Sequence, residues 1–157
     1  MSDLIIDKKY YNTLDIEGFS KMMNSPSYCY KFYWLEAIVQ LISANKTEAT
    51  YDEIINKMIS NAWYPVLEYH IHLSGIYGEN IIKDNLERAV LRLQELSQLA
   101  NNASDIEIMN NLHEFSEDKE LRFYRKELTK NVPYKALSGF ANRGSEKINL
   151  DSSAGRL

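Results

Sequence analysis

Three histidines are the first candidates for chemistry in this 157-residue chain: His70, His72 and His113. His70 and His72 fall in a stretch that alternates. Leu67, Tyr69, Ile71 and Leu73 point one way, while Glu68, His70 and His72 point the other. Such alternation predicts a short extended segment with one buried side. On a strand both imidazoles share a face, a geometry that can hold a metal ion. Two imidazoles are too few for a site, and no third ligand is close in sequence. His70 and His72 are therefore metal candidates only, and the solvent side of a strand explains them without a metal. His113, next to Glu114, lies beyond a long helical pattern.

Paired carboxylates are the second candidates: Asp52 with Glu53, Asp105 with Glu107, Glu117 with Asp118. All fall where a helix begins, and acids there suit the positive end of the helix dipole. Helix capping explains them without a general acid and base. There is no phosphate-binding Gly-rich loop and no nucleophile elbow. Cys29 is the single cysteine, which excludes an internal disulfide and a cysteine-based zinc site. No His or basic residue adjoins it closely enough to activate its thiol, so it is read as a small buried hydrophobe. No residue is assigned a catalytic role, and no cofactor is expected in the chain itself.

Charge supplies the third candidate. The formal net charge is −4, which argues against the whole chain wrapping nucleic acid. The charge is uneven, however. From residue 119 to residue 147 there are eight basic residues and three acidic ones. Arg122, Arg125, Lys126 and Lys130 form the densest part of that run and are the candidate phosphate contact. A solvated helix face is the competing explanation.

These groups must be positioned by helices. With Gly 6 and Pro 3 in 157 residues, breakers are scarce. A short helix is expected from Asp15 to Met23. Asn24-Ser25-Pro26 predicts the start of the next, with Ser25 as cap and Pro26 at the first helical position. That helix carries two apolar stripes, Tyr28, Phe32, Leu35, Val39 and Ile42, and Tyr30, Trp34, Ala37 and Leu41. Two stripes leave a narrow polar edge of Lys31, Glu36 and Gln40 and predict a central, multiply packed helix. Thr50-Tyr51-Asp52-Glu53 is a capping box. It opens a helix expected to end before Pro65, because proline disfavours helical geometry at Tyr64. The longest helix is expected from Glu79 to Leu99, with Asp84 and Arg88 as an i, i+4 pair. A second capping box, Ser104 to Glu107, starts a helix through about Phe115. Ser116-Glu117-Asp118 starts the last, with Arg125, Lys126 and Lys130 near its end and Asn131 and Pro133 stopping it.

One segment points beyond architecture. Tyr30-Lys31-Phe32-Tyr33-Trp34-Leu35, then Met58-Ile59-Ser60-Asn61-Ala62-Trp63-Tyr64-Pro65-Val66, then Tyr69-His70-Ile71-His72-Leu73-Ser74-Gly75 follow in fixed order. Lys130-Asn131-Val132-Pro133-Tyr134 with Leu137-Ser138 comes later. Together they resemble the N-terminal half of bacterial HNH endonuclease domain proteins, over roughly Ser25 to Phe140. Ala136 and Gly139 depart from that pattern. The family's catalytic motif has no counterpart here, so no catalytic residue carries over. The resemblance implies kinship with a restriction or phage-defence nuclease through its non-catalytic half. A divalent metal is then expected only with a nuclease domain that this chain lacks, and DNA is met through that domain.

The expected fold is mainly α: a compact bundle of five to six helices with at most one small β element near residues 66–74. Residues 1–140 form one helical domain, with its core centred on Tyr28 to Ile42, and residues 141–157 a loosely held tail. No apolar run reaches the roughly 18 residues of a membrane span, and Met1-Ser2-Asp3 lacks a signal peptide's basic start. A cytoplasmic protein is expected, with self-association or a protein partner as the alternative to nucleic acid. A further alternative is a winged-helix-like unit in which the Tyr51 to Ala62 helix faces DNA.

Overall fold

A computed structural model describes residues 13–24, 29–74, 76–77, 80–81 and 83–141. The expected cap and first turn at Ser25 and Pro26, and the tail from 142 onward, lie outside them. In order come α1 (Ile16–Asn24), α2 (Tyr30–Ser43), α3 (Tyr51–Leu67), β1 (Ile76–Tyr77), β2 (Asn80–Ile81), α4 (Asn85–Ser97), α5 (Asp105–Glu114) and α6 (Lys119–Ala141). β1 and β2 pair antiparallel, Ile76 opposite Ile81. The architecture is a mainly α bundle.

Both capping boxes form as their sequences dictate. Thr50 Oγ1 accepts from the Glu53 N–H at 3.2 Å, and Glu53 Oε2 accepts from the Thr50 N–H at 2.8 Å. Ser104 and Glu107 repeat the exchange at 3.3 and 2.8 Å. Lys46 also pairs with Glu53. That contact, then the cap, holds the Glu53 carboxyl down to about 2.

The core is centred on α3, not on α2. Ile54, Ile55, Met58, Ile59, Ala62, Trp63, Val66 and Leu67 are all buried, and α3 packs against α2, α4, α5 and α6. Of the two stripes on α2, only the one through Tyr30, Trp34 and Ala37 is buried. Phe32, Val39 and Ile42 on the other are 44%, 53% and 62% exposed. Periodicity marks both stripes as apolar, but the packing of α2 on α3 decides which one meets protein. Lys31, expected on the polar edge, is buried with its Nζ 3.5 Å from the Met22 carbonyl.

Neither proline ends its helix. Pro65 lies inside α3 and Pro133 inside α6. A proline in a helix interior costs about 3 kcal/mol, whereas burying Val66 and Leu67 is worth roughly 1.5–3 kcal/mol each. Tertiary burial therefore outweighs the local preference. The freed end of α3 is closed by the Asn101 side chain, which donates to the Leu67 carbonyl at 3.4 Å. Val132 and Ala136, buried on either side of Pro133, make the same case for α6.

The small β element is consequently displaced. Residues 66 and 67 are helical, 69–74 are irregular, and the two-residue strands come at 76–81. Leu67 and Leu73 are buried as the alternation required, but Tyr69 and Ile71 are exposed. The helix expected from Glu79 begins at Asn85. Asp84 is its N-cap and accepts from the Glu87 N–H at 2.8 Å; it makes no direct ion pair with Arg88, although the Arg88 charge favours its carboxylate. Gln98, with φ 54°, ends it. The longest helix is α6, at 23 residues.

Candidate functional site

The basic run is carried on one side of α6. Arg122, Arg125, Lys126, Thr129 and Lys130 recur at steps of three and four, so they share a face. Because Pro133 does not stop α6, these residues sit in mid-helix rather than at its end. The structure brings all four cations to one groove of about 620 Å³, closed on one side by Asp52 of α3 and on another by Ser116 and Glu117 before α6. Four cations face two carboxylates there, so the groove is net positive.

Its geometry separates the cations into two kinds. Arg122 and Lys130 are exposed and held loosely, Arg122 by Glu117 at 3.5 Å and Lys130 by Glu127 at 2.8 Å. Such surface pairs are worth about 0–1 kcal/mol and yield readily to a better anion. Arg125 differs: its side chain is only 13% exposed, and its partner is the exposed Asp52 at 3.8 Å. Its Nε is buried and has no hydrogen-bond partner. A planar guanidinium offers donors in a fixed fork that matches phosphate oxygens. Lys126 makes no ion pair among the described residues. Thr129 is oriented by donating its hydroxyl to the Arg125 carbonyl at 3.0 Å.

A separate contact joins α3 to α5. Asp105, in the first turn of α5, accepts from the buried Ser60 hydroxyl at 2.6 Å and pairs with Lys57 at 2.8 Å. Burial opposes its charge, but Lys57 and Ser60 outweigh that and hold the Asp105 carboxyl below its usual range. Lys57 is the basic residue of α3, and it is committed to this contact. The cations available to a phosphate therefore belong to α6 rather than α3.

The histidines do not converge. His70 is exposed in a left-handed conformation, φ 51°, just after α3. His72 turns inward, with Nδ1 3.0 Å from Glu87 Oε1. His113 is exposed at the end of α5. Without a strand at 66–74, His70 and His72 have no common face. Among the described residues no three His, Cys, Asp or Glu side chains are grouped to hold a metal ion. The divalent metal that HNH chemistry needs finds no fitting ligand set there.

Sequence reasoning missed Glu87, a carboxylate 2% exposed. It accepts from the Leu73 N–H at 3.2 Å as well as facing His72, and so ties the loop after α3 to α4. Its position beside Arg88 in a charged run gave no sign of burial. Cys29 is half-buried, and burial pushes its thiol up, in line with an inert role. Among the described residues no helix is long and apolar enough to cross a membrane. Compared with known protein families, with curated proteins and with solved structures, the chain matches none.

Proposed function

We propose that this chain is a non-catalytic helical module that contacts nucleic acid through the α6 groove, in the manner of the N-terminal portion of an HNH-type endonuclease of restriction or phage defence. Cutting belongs to a nuclease domain that these 157 residues do not carry. The observation that supports the reading is the convergence of Arg122, Arg125, Lys126 and Lys130 on one groove, with Arg125 nearly buried and incompletely hydrogen-bonded. Phosphate attraction is sequence-independent and supplies most non-specific affinity. A module of this kind adds hold on DNA without reading bases, and leaves specificity and chemistry to its partner domain.

The test is duplex DNA binding across a salt series. Each neutralised phosphate contributes about −0.9 to the slope of log K against log salt, so Arg125→Ala and Lys126→Ala should each flatten the slope by about one unit. Binding that is absent at low salt, or indifferent to both substitutions, refutes the reading. Plasmid incubated with the chain and Mg²⁺, Mn²⁺ or Zn²⁺ should stay intact. Nicking that His70→Ala abolishes would relocate the chemistry to this chain.

A second reading has its own observation. The exposed stripe Phe32, Val39 and Ile42 on α2 is the kind of surface that mediates protein association. It favours a protein-interaction or self-associating module. A clean monomer by light scattering at high concentration removes the self-associating form.

A further inference from the structure

The solvent side of α6 carries an aromatic ring among charges. Phe123 is 54% exposed. Lys119 stands four residues before it and Lys126 three after, and both are exposed, so their ammonium groups share its face of the helix. Lys130, seven residues on, continues the same stripe. Tyr124 packs against Phe123 in a T arrangement, with 5.7 Å between ring centres and 70° between planes, and so restrains it. A single exposed apolar residue needs no partner to explain it. A ring between two cations is a different object, because together they match a base and its phosphates.

The carboxylates around this ring are engaged with other cations. Glu117 holds Arg122 at 3.5 Å, Glu127 holds Lys130 at 2.8 Å, and Glu120 lies 3.5 Å from Arg92 of α4. Among the described residues Lys119 and Lys126 make no ion pair. The apolar side of the same helix is already covered: Leu121, Leu128 and Val132 are buried in the bundle. A helix that lies on a membrane sinks its apolar side into lipid, so an anionic bilayer fits this face poorly. A duplex fits it incompletely. Its bases are paired and stacked inside, and offer the ring nothing to cover.

We propose that the solvent face of α6 binds single-stranded DNA, with a base stacked on Phe123 and the flanking phosphates on Lys119 and Lys126. The inference rests on the phosphate reading of the Arg125 groove and narrows it from any DNA to an unpaired strand. Lys126 lines that groove as well, so a strand seated on the ring continues into it. Stacking tolerates any sequence, because every base has a π-face. That suits a module that holds DNA without reading it.

The experiment compares a fluorescein-labelled oligodeoxythymidine with a duplex of the same length by anisotropy at low salt. The single strand should bind at least as tightly as the duplex, although it carries half the phosphates. Phe123→Ala should weaken single-strand binding about tenfold and leave duplex binding unchanged. Phe123→Leu should be as weak, and Phe123→Tyr should recover most of the loss, because only tyrosine keeps a stacking face. Lys119→Gln should flatten the single-strand salt slope by about 0.7. Circular dichroism of each variant separates lost binding from lost fold. The proposal is overturned if Phe123→Ala leaves single-strand binding unchanged or lowers duplex binding equally. If the duplex still depends on Arg125 and Lys126, the phosphate reading stands without it; if neither form of DNA binds, both fall. Vesicles of equal parts phosphatidylcholine and phosphatidylserine should not bind. Binding to them that Phe123→Ala abolishes, with none to the oligonucleotide, assigns the face to lipid and overturns the proposal.

Discussion

Arg92 on α4 grips Asp118 at the foot of α6 with two parallel contacts, Nε to Oδ1 at 3.0 Å and a terminal nitrogen to Oδ2 at 2.7 Å. The same Oδ1 accepts the Leu121 N–H at 2.9 Å. One carboxylate thus caps α6 and fastens it to α4, and so sets the position of the helix that carries the groove.

Asp118→Ala should cost about 1 kcal/mol for the lost cap alone, and more once the clamp is included. Asp118→Asn keeps a capping oxygen and should cost less. Urea unfolding of both variants gives the difference, and equal losses would mean that the cap contributes nothing.

The same residue sets an acid limb of stability. The Arg92 contacts, then the Leu121 N–H, hold the Asp118 carboxyl down to about 2. The folded chain therefore binds this proton less readily than the unfolded chain does. Its contribution is full above the unfolded value of about 3.9 and fades as pH falls toward 2. Glu53 titrates in the same window, so Asp118→Asn should flatten the limb without removing it. Thermal melts between pH 2 and 6 would show this. An unchanged profile would indicate that the clamp is open in solution.

The two sides of α2 should respond very differently to substitution. Trp34→Ala removes a buried ring and should cost roughly 3–5 kcal/mol. Phe32→Ser, on the exposed stripe, should stay within about 0.5 kcal/mol in a monomer. A large loss at Phe32 that depends on protein concentration would place a second copy on that face.

Glu87 offers a further contrast. Glu87→Ala leaves the Leu73 N–H without its acceptor and should cost roughly 1–3 kcal/mol. Glu87→Gln retains an acceptor oxygen and should recover part of the loss. His72→Ala should cost less than Glu87→Ala, because His72 is partly exposed and water can replace its contact. Chemical denaturation ranks the three. A His72 loss as large as that of Glu87 would show that the imidazole, not the backbone, anchors the loop.

Much of this organisation was legible where local chemistry alone decides it. Thr50 with Glu53, and Ser104 with Glu107, carry their partners three residues away, so both boxes could be read without a fold. The charge of α6 was legible for the same reason. What was hidden came from distant segments. Asp52 reaches Arg125 from α3, and Arg92 reaches Asp118 only because α4 lies along α6. Pro65 and Pro133 misled because their local penalty is visible in sequence, while the burial of Val66, Leu67 and Val132 that overrides it is not. The strand expected at 66–74 failed with them. Once α3 continued through Leu67, the alternation that placed His70 and His72 together had no extended backbone to act on.

Because α3 is enclosed by α2, α4, α5 and α6, the described residues contain no separable half that keeps its interior dry. Any guest sequence or fluorescent tag spliced into the chain is therefore best placed at a surface turn such as residues 45–47, where it lengthens a connection without parting α3 from its neighbours. Splicing within α3 itself would dissolve the entire assembly at once rather than trimming one helix from it.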